Sequence, residues 1–199
     1  MKPLRLSLPH VIVMVGIPGS GKSFFAEHFA ETFSAPLVSS IAIRHMLVQT
    51  PSFSVSEQAA VKRISHHLLD ELLKTNQTIV VDIPSDSRTD RMEITRKAKL
   101  ASYQVLFVWV QTESAAARSR ATKTSKDRSF ALTDEQYDSF VKHFTIPSGT
   151  EKPIVISGKH TYASQLKIVL SRLVLAKTSQ EIPIRERPVI DQSHRIIMR

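Results

Sequence analysis

The sequence contains no cysteine, which excludes disulfide bonds and thiolate metal sites and makes the cytoplasm the expected location. No apolar run approaches the roughly 20 residues that a membrane-spanning helix needs. The segment Met1–Pro9 is too short and too interrupted to predict a signal peptide. The glycines lack the G-x-G-x-x-G spacing of dinucleotide-binding dehydrogenases, and repeats and low-complexity tracts are absent.

The sequence contains fewer acidic than basic residues. The chain has 18 Asp and Glu against 27 Lys and Arg, a formal net charge of +9 at pH 7. This excess favours anionic partners such as nucleotides, phosphorylated substrates or nucleic acid. No basic run is interleaved with aromatic residues, so nucleic acid is an open alternative rather than a required partner. With 199 residues and 42% hydrophobic content, the chain suits one domain, or one domain with a tail.

The most informative stretch is Gly16–Ser23, which matches the phosphate-loop pattern G-x-x-x-x-G-K-[ST] at every fixed position. The apolar run His10–Val15 before it predicts a strand buried on both faces. After it, Phe25, Phe29 and Phe33 recur at helical spacing. A strand, a glycine-rich turn and a helix can cradle phosphates, because backbone N–H groups and the helix N-terminus converge there. The alternative is a turn that only joins a strand to a helix.

The phosphate loop predicts a nucleoside triphosphate site. Lys22 is expected to contact the β- and γ-phosphates, and the Ser23 hydroxyl is expected to ligate Mg²⁺. The nucleotide-binding residues predicted from the loop form one contiguous set, namely Gly16, Ile17, Pro18, Gly19, Ser20, Gly21, Lys22, Ser23 and Phe24.

Apolar runs alternate with helical stretches along the rest of the chain, which predicts a parallel α/β sheet. Strands are expected near residues 10–15, 36–39, 78–83, 104–110 and 153–157. We expect one domain over residues 1–176, including a basic helical lid at about 113–131. A basic and apolar tail over residues 177–199 follows it, and its role is left open.

Asp82 ends the third predicted strand, where phosphate-loop NTPases hold the metal shell and where open α/β sheets bind ligands. It could also be a turn aspartate before Pro84. After the fourth strand, Arg118 and Arg120 are placed to neutralise charge on a transferred phosphoryl group, although a basic surface loop would look the same. The basic helix that contains Arg91 is expected to expose most of its charges.

Several of these features together resemble the polynucleotide-kinase-like and zeta-toxin-like (AAA_33-type) branch of phosphate-loop kinases. They are the phosphate loop, Arg44, Asp82, Arg91, Arg118 with Arg120, and the segment Phe144–Pro147 with Glu151. The resemblance covers about residues 10–175. It implies a three-layer α/β/α fold with a five-stranded parallel sheet of order 2-3-1-4-5. It also implies Mg-ATP as the donor and transfer of the γ-phosphoryl group to a hydroxyl.

The same resemblance assigns roles to matching residues. Lys22 would bind the β- and γ-phosphates, Ser23 would ligate Mg²⁺, and Asp82 would support the metal or its water. Arg44 would hold a phosphate of the acceptor, and Arg118 or Arg120 would stabilise charge in the transition state.

One position departs from the family pattern. The family usually carries an aspartate three residues before the arginine after strand two, as the base that activates the acceptor, and here that position is Ile41. A general base contributes roughly 10²–10⁴-fold to a rate, so this change predicts a slower transfer. Asp86 is the preferred replacement and His45 is another, although Asp86 could be a plain turn residue.

We therefore expect an ATP-dependent kinase that acts on a hydroxyl of a nucleoside, a sugar nucleotide or a polynucleotide end. The alternatives are a nucleotide-binding regulator with weak or no hydrolysis and a protein that binds RNA or DNA through its basic surface.

Overall fold

The computed structural model describes residues 8–123 and 130–178. It contains a five-stranded parallel sheet with the strand order β2-β3-β1-β4-β5, which confirms the predicted topology. The strands are β1 (His10–Val15), β2 (Leu37–Ser39), β3 (Ile79–Asp82), β4 (Gln104–Gln111) and β5 (Ile154–Ser157). Each of them lies within two residues of a stretch that the sequence predicted as a strand.

Helices connect the strands and cover both faces of the sheet. They are α1 (Lys22–Phe33), α2 (Ser40–Leu47), α3 (Val55–Leu72), α4 (Arg88–Leu100), α5 (Ser114–Thr122), α6 (Asp134–His143) and α7 (Tyr162–Thr178). Short 3₁₀ turns span Leu73–Thr75 and Gly149–Glu151. No helix in the described part of the chain is both long enough and apolar enough to cross a membrane.

Strand β1 lies at the centre of the sheet, and all six of its residues are buried. It pairs with β3 on one side and with β4 on the other. Its alternate side chains enter two separate cores: Val11 and Val13 pack in the cluster that contains residues of α3 and α4, and Ile12 and Met14 pack with α1 and α7. A strand buried on both faces has to be apolar throughout, which explains the continuous run of the sequence.

Local capping interactions set several helix boundaries near the site. The Ser39 hydroxyl accepts a hydrogen bond from the Ala42 N–H, so α2 begins directly where β2 ends. Helix α4 begins with a reciprocal capping box between Ser87 and Asp90. These caps bring α2 and α4 to the carboxyl edge of the sheet, next to the phosphate loop.

The predicted domain and lid boundaries stay predictions. Helix α7 ends at Thr178, two residues beyond the expected end of the domain. Residues 179–199 of the predicted tail and residues 124–129 of the predicted lid lie outside the described residues.

Candidate nucleotide and acceptor site

The phosphate loop joins β1 to α1 at the carboxyl edge of the sheet, and its glycines are required there. Gly19 has a φ of 74°, and a Cβ on it would overlap the carbonyl oxygen of Ala117 in α5. Gly16 has a φ of 147°, and a Cβ on it would lie 2.6 Å from the carbonyl oxygen of Val110. Both positions therefore exclude larger residues, because the loop is packed tightly against α5 and the end of β4.

Lys22 folds back over the loop that precedes it. Its Nζ donates hydrogen bonds to the carbonyl oxygens of Gly16, at 2.6 Å, and Ile17, at 3.1 Å. The ammonium group is thus held at the mouth of the loop by neutral partners. Phosphate oxygens that entered the loop would compete for the same ammonium with full negative charge, which makes the exchange favourable.

Ser23 and Asp82 are brought together as the pattern predicted. The Ser23 hydroxyl donates a hydrogen bond to Oδ2 of Asp82 at 2.6 Å, although 59 residues separate the two. Asp82 is 4% exposed, because it ends β3, the direct neighbour of β1 in the sheet. The alternative, a turn aspartate before Pro84, does not by itself account for the hydrogen bond with Ser23.

A hydroxyl and a carboxylate oxygen fit the preferences of Mg²⁺, which binds few protein groups and keeps water and phosphate oxygens as its other ligands. Within residues 8–123 and 130–178, no group of three or more His, Cys, Asp or Glu side chains could hold a metal ion. The donor set at Ser23 and Asp82 therefore fits a metal that arrives with a nucleotide better than a resident structural ion.

Asp86 lies in the loop between β3 and α4, on the same edge of the sheet. Burial raises the pKa of its carboxyl group, the nearby Lys22 ammonium lowers it, and Asp90 and Asp82 raise it further. Asp86 therefore lies within electrostatic range of the lysine of the phosphate loop and of Asp82 at the end of β3. A carboxyl group with a raised pKa in such a position has the properties of a general base.

Of the two arginines predicted on α5, Arg120 lies closer to the phosphate loop. Its Nη1 donates to the carbonyl oxygen of Gly158 at 3.1 Å. A Cβ on Gly158 would overlap the carbonyl oxygen of Ser20, so Gly158 packs directly on the loop. Thr112 also contacts the loop, because its Oγ1 donates to the Ser20 carbonyl at 2.8 Å.

Arg118 is engaged elsewhere. It forms ion pairs with Asp134, at 2.8 Å, and Asp138, and its guanidinium group lies 4.8 Å from the ring centre of Tyr137. The hydrogen bonds to Asp134 and Asp138 raise the pKa of Arg118. All three partners belong to α6, so this arginine joins α5 to α6.

The side of the site where the acceptor is predicted to bind differs from the phosphate loop. Arg44 is only 7% exposed, it forms an ion pair with Glu57, and its guanidinium group lies 4.6 Å from the ring centre of Phe53. Burial raises the pKa of Glu57, but hydrogen bonds from Ser52 and Arg44 outweigh it and leave that pKa below its usual value. Ile41, one turn before Arg44 on α2, is 43% exposed and gives this side an apolar surface.

Phe24 begins the solvent-facing side of α1. Its ring is 48% exposed and lies 4.2 Å, between ring centres, from that of His28. The loop brings Phe24 to the outer surface of the site, while the other residues of the predicted nucleotide-binding set are half-buried or buried.

The structure pairs two residues that the family resemblance had named separately, Arg91 and Glu151. Arg91, expected on a largely solvated helix, is completely buried and pairs with Glu151. Its spacing from Ile94 and Ala98 follows the buried stripe of α4, and this was the available signal. An arginine inside an apolar stripe indicates a specific buried partner.

The sheet order, the phosphate loop after β1 and the Ser23–Asp82 contact define a P-loop NTPase fold of the kinase-like type. A family model described as AAA domain (AAA_33) matches residues 11–147. The chain therefore belongs to this AAA domain family, which confirms the resemblance. No sequence among the curated proteins matches the chain.

Solved structures share the fold at low sequence identity. A gluconokinase from Sinorhizobium meliloti 1021 is 19% identical, with a TM-score of 0.64 over 88% of this chain and 97% of that chain. Kti12 from Chaetomium thermophilum, in complex with ADP-AlF3, is 16% identical, with a TM-score of 0.63 over 84% and 98%. The APS kinase CysC from Mycobacterium tuberculosis, in complex with AMPPNP and APS, is 18% identical, with a TM-score of 0.58 over 84% and 98%.

Proposed function

We propose that this protein is an ATP-dependent phosphotransferase that moves the γ-phosphoryl group to a hydroxyl of a small molecule or of a polynucleotide end. The observation that carries the proposal is the Ser23–Asp82 hydrogen bond next to Lys22, since these are the groups that a site for Mg-ATP needs. The ATP analogues bound by the structural neighbours, and the APS bound by one of them, support ATP as the donor and a phosphate-bearing or hydroxyl acceptor. A cytoplasmic location stays a prediction.

The donor side would work by position and charge. Lys22 would exchange its carbonyl partners for the β- and γ-phosphates, while the loop N–H groups bind the remaining oxygens. Mg²⁺, held by Ser23 with support from Asp82, would neutralise phosphate charge when bound. Arg120, hydrogen-bonded at the edge of the loop, is the nearer arginine for charge on the transferred group. Arg118 would have to leave its aspartate partners to contribute.

The transfer step itself needs an acceptor hydroxyl and a base. The acceptor oxygen would form a bond to the γ-phosphorus as the bond from that phosphorus to the β–γ bridging oxygen breaks, which releases ADP. The hydroxyl proton would pass to the carboxylate of Asp86, which lies within electrostatic range of Lys22 and would take the place of the aspartate missing at Ile41. Arg44 would bind a phosphate of the acceptor after it exchanges Glu57 for that phosphate.

The test is incubation with γ-labelled ATP and Mg²⁺ against a panel of nucleosides, sugar nucleotides, sugars and oligonucleotide ends. We expect transfer to at least one class, lost in a Lys22→Met variant. Absence of transfer to every acceptor, by protein that demonstrably binds ATP, would contradict the proposal.

A second candidate is a nucleotide-binding regulator or slow NTPase. The observation that favours it is the acceptor side, where Ile41 replaces an acid and Arg44 is already paired with Glu57. It predicts ATP-dependent capture of a partner that is lost when the basic and apolar tail, residues 177–199, is deleted. Full kinase activity of the same truncated chain would exclude it. Direct RNA or DNA binding, the remaining alternative, predicts an affinity that falls steeply with salt.

A further inference from the structure

Arg91 is the largest completely buried side chain among the described residues. It projects from α4 into the core between that helix and the loop that follows β3. Transfer of a charged group from water into a protein interior costs several kcal/mol unless charges and hydrogen bonds compensate it. The partners of this guanidinium group therefore show what it stabilises.

One edge of the guanidinium group faces a carboxylate. The Nε of Arg91 donates to Oε1 of Glu151 at 2.6 Å, and Nη2 donates to Oε2 at 3.3 Å, in a bidentate pair. Glu151 is itself held, because its Oε2 accepts hydrogen bonds from the backbone N–H of Ser148 at 2.7 Å and from the Ser148 hydroxyl at 3.1 Å. The carboxylate thereby fixes the orientation of the arginine plane.

The other end of the group holds the loop that contains Asp86. Nη1 of Arg91 donates to the carbonyl oxygens of Ser85, at 3.0 Å, and Asp86, at 3.2 Å. The Asp86 carbonyl also accepts a hydrogen bond from the backbone N–H of Thr145 at 2.8 Å. The buried Ser85 hydroxyl donates to the carbonyl oxygen of Met14 in β1, two residues before the phosphate loop, at 2.7 Å. The loop that contains Asp86 is thus tied to β1 through Ser85, to α4 through Arg91 and to the chain after α6 through Thr145.

We infer that Arg91, oriented by Glu151, is a positioning residue that holds the carboxylate of Asp86 beside Lys22 for proton acceptance. This inference rests on the proposed function, because it assigns the reason for which the Asp86 loop is held. A planar guanidinium fork has five N–H donors and can bind a carboxylate through two hydrogen bonds while it binds two successive carbonyls. The ammonium group of lysine has three donors and cannot make all four of these hydrogen bonds. A 1 Å displacement of a catalytic group costs up to about a hundredfold in rate, so the loop has to be held firmly.

The experiment compares Arg91→Met, Arg91→Lys and Glu151→Gln with the unchanged protein. Lys97→Met is the matched control, because it removes a different ion pair of α4, with Asp70. Three readouts are taken: steady-state turnover of Mg-ATP with the acceptor found in the panel or with water, affinity for a fluorescent ATP analogue, and the pKa of Asp86 by ¹³C-carboxyl NMR.

We expect Arg91→Met to lower kcat about tenfold to a hundredfold, with KM for ATP and affinity for the analogue within about twofold. Arg91→Lys and Glu151→Gln should lower kcat by a smaller factor.

The charged groups that act on Asp86 are Lys22, Asp82, Asp90 and Arg91, and Arg91 lowers the pKa of Asp86. Removal of the Arg91 charge should therefore raise the pKa of Asp86 and move the acid limb of the kcat–pH profile to higher pH. Lys97→Met should change neither kcat nor this profile.

A folded Arg91→Met protein with unchanged kcat, pH profile and Asp86 pKa overturns the inference and leaves the pair a structural one. If this variant does not fold, the isosteric Glu151→Gln protein is measured in its place, and an unchanged kcat and pH profile also overturns the inference.

Asp86→Asn separates this inference from the proposed function. If Asp86→Asn leaves turnover unchanged, Asp86 is not the base. If Asp86→Asn abolishes turnover but Arg91→Met retains normal activity, Asp86 remains the proposed base and only the positioning role of Arg91 is excluded. If no acceptor is turned over, an Asp86 pKa that does not change in Arg91→Met overturns the inference by itself.

Discussion

The two halves of the site are built differently. On the side proposed to bind the donor, the Lys22 ammonium group is hydrogen-bonded to neutral carbonyl oxygens and the Ser23 hydroxyl to Asp82. A phosphate could therefore replace the partners of Lys22 without breaking an ion pair. On the acceptor side, Arg44 is buried against Phe53 and paired with Glu57, and Ile41 faces solvent. A phosphate gains a new ion pair on the first side but has to displace an existing carboxylate on the second. The comparison shows why nucleotide binding follows more directly from this structure than acceptor binding does.

The largest effect should come from the donor side. Lys22→Met removes the only side-chain cation of the phosphate loop, and loss of one such charge costs about 10²–10³-fold in rate. We expect transfer or ATP hydrolysis to fall by at least this factor, measured with γ-labelled ATP. Arg63→Met, a change on α3 outside the site, is the control and should retain activity.

A Lys22→Met protein with normal turnover would mean that the phosphates do not bind in the loop, and the contrast between the two sides would lose its basis.

Asp82→Asn should have the next largest effect, because the amide keeps the shape of the side chain but removes the charge that we propose supports the metal. Loss of such support lowers metal affinity about tenfold to a hundredfold. The expected result is a higher Mg²⁺ concentration for half-maximal turnover, with partial rescue at saturating Mg²⁺. An unchanged Mg²⁺ dependence would show that Asp82 only positions the Ser23 hydroxyl.

Ile41→Asp tests the acceptor side by adding the missing acid. Ile41 is 43% exposed, so the carboxylate stays hydrated and the fold should tolerate it. Against the roughly 10²–10⁴-fold contribution of a well-placed base, we expect a gain in kcat of about tenfold. Ile41→Asn has nearly the same shape without the basic oxygen and should give no gain. Equal rates for both variants would mean that position 41 lies away from the acceptor hydroxyl, which would remove this part of α2 from the proposed acceptor side.

Glu57→Gln should have the smallest effect, because it only weakens the partner that competes for Arg44. In the presence of saturating ADP, which fills the phosphate loop, inorganic phosphate should bind about fivefold more tightly, at the low end of typical coupling between sites. Calorimetric titration measures this affinity. Glu71→Gln, which breaks the exposed pair with Lys74, is the control.

Tighter phosphate binding in Glu57→Gln that is retained after Arg44→Met is added would place the anion elsewhere and remove Arg44 from the acceptor site.

Much of the fold could be predicted because its signals are local. The apolar run of β1 predicts a central strand, and the glycine spacing after it predicts the phosphate loop. The Asp82 position could also be predicted, since the ends of neighbouring parallel strands meet at one edge of the sheet. The family pattern then supplied the sheet order, which the structure confirms.

The roles of the arginines could not be predicted in the same way. Arg91 was expected on a largely solvated helix but is buried, and its carboxylate partner lies 60 residues further along the chain. Arg118 and Arg120 are neighbours on one helix, yet one contacts α6 and the other contacts the edge of the phosphate loop. Side chains of one chemistry acquire different functions from partners that only long-range packing brings near.

The sequence by itself determined the nucleotide site, because a strand, a glycine-rich loop and a helix N-terminus form from adjacent residues and carry their chemistry in the backbone. Tertiary structure alone decided which charges are available around that site. A flexible arginine has no preferred partner until the fold places a carboxylate, a carbonyl or an aromatic ring within its reach. Glu57 therefore determines whether Arg44 is free to bind another anion, and Glu151 determines how the Arg91 guanidinium group is oriented.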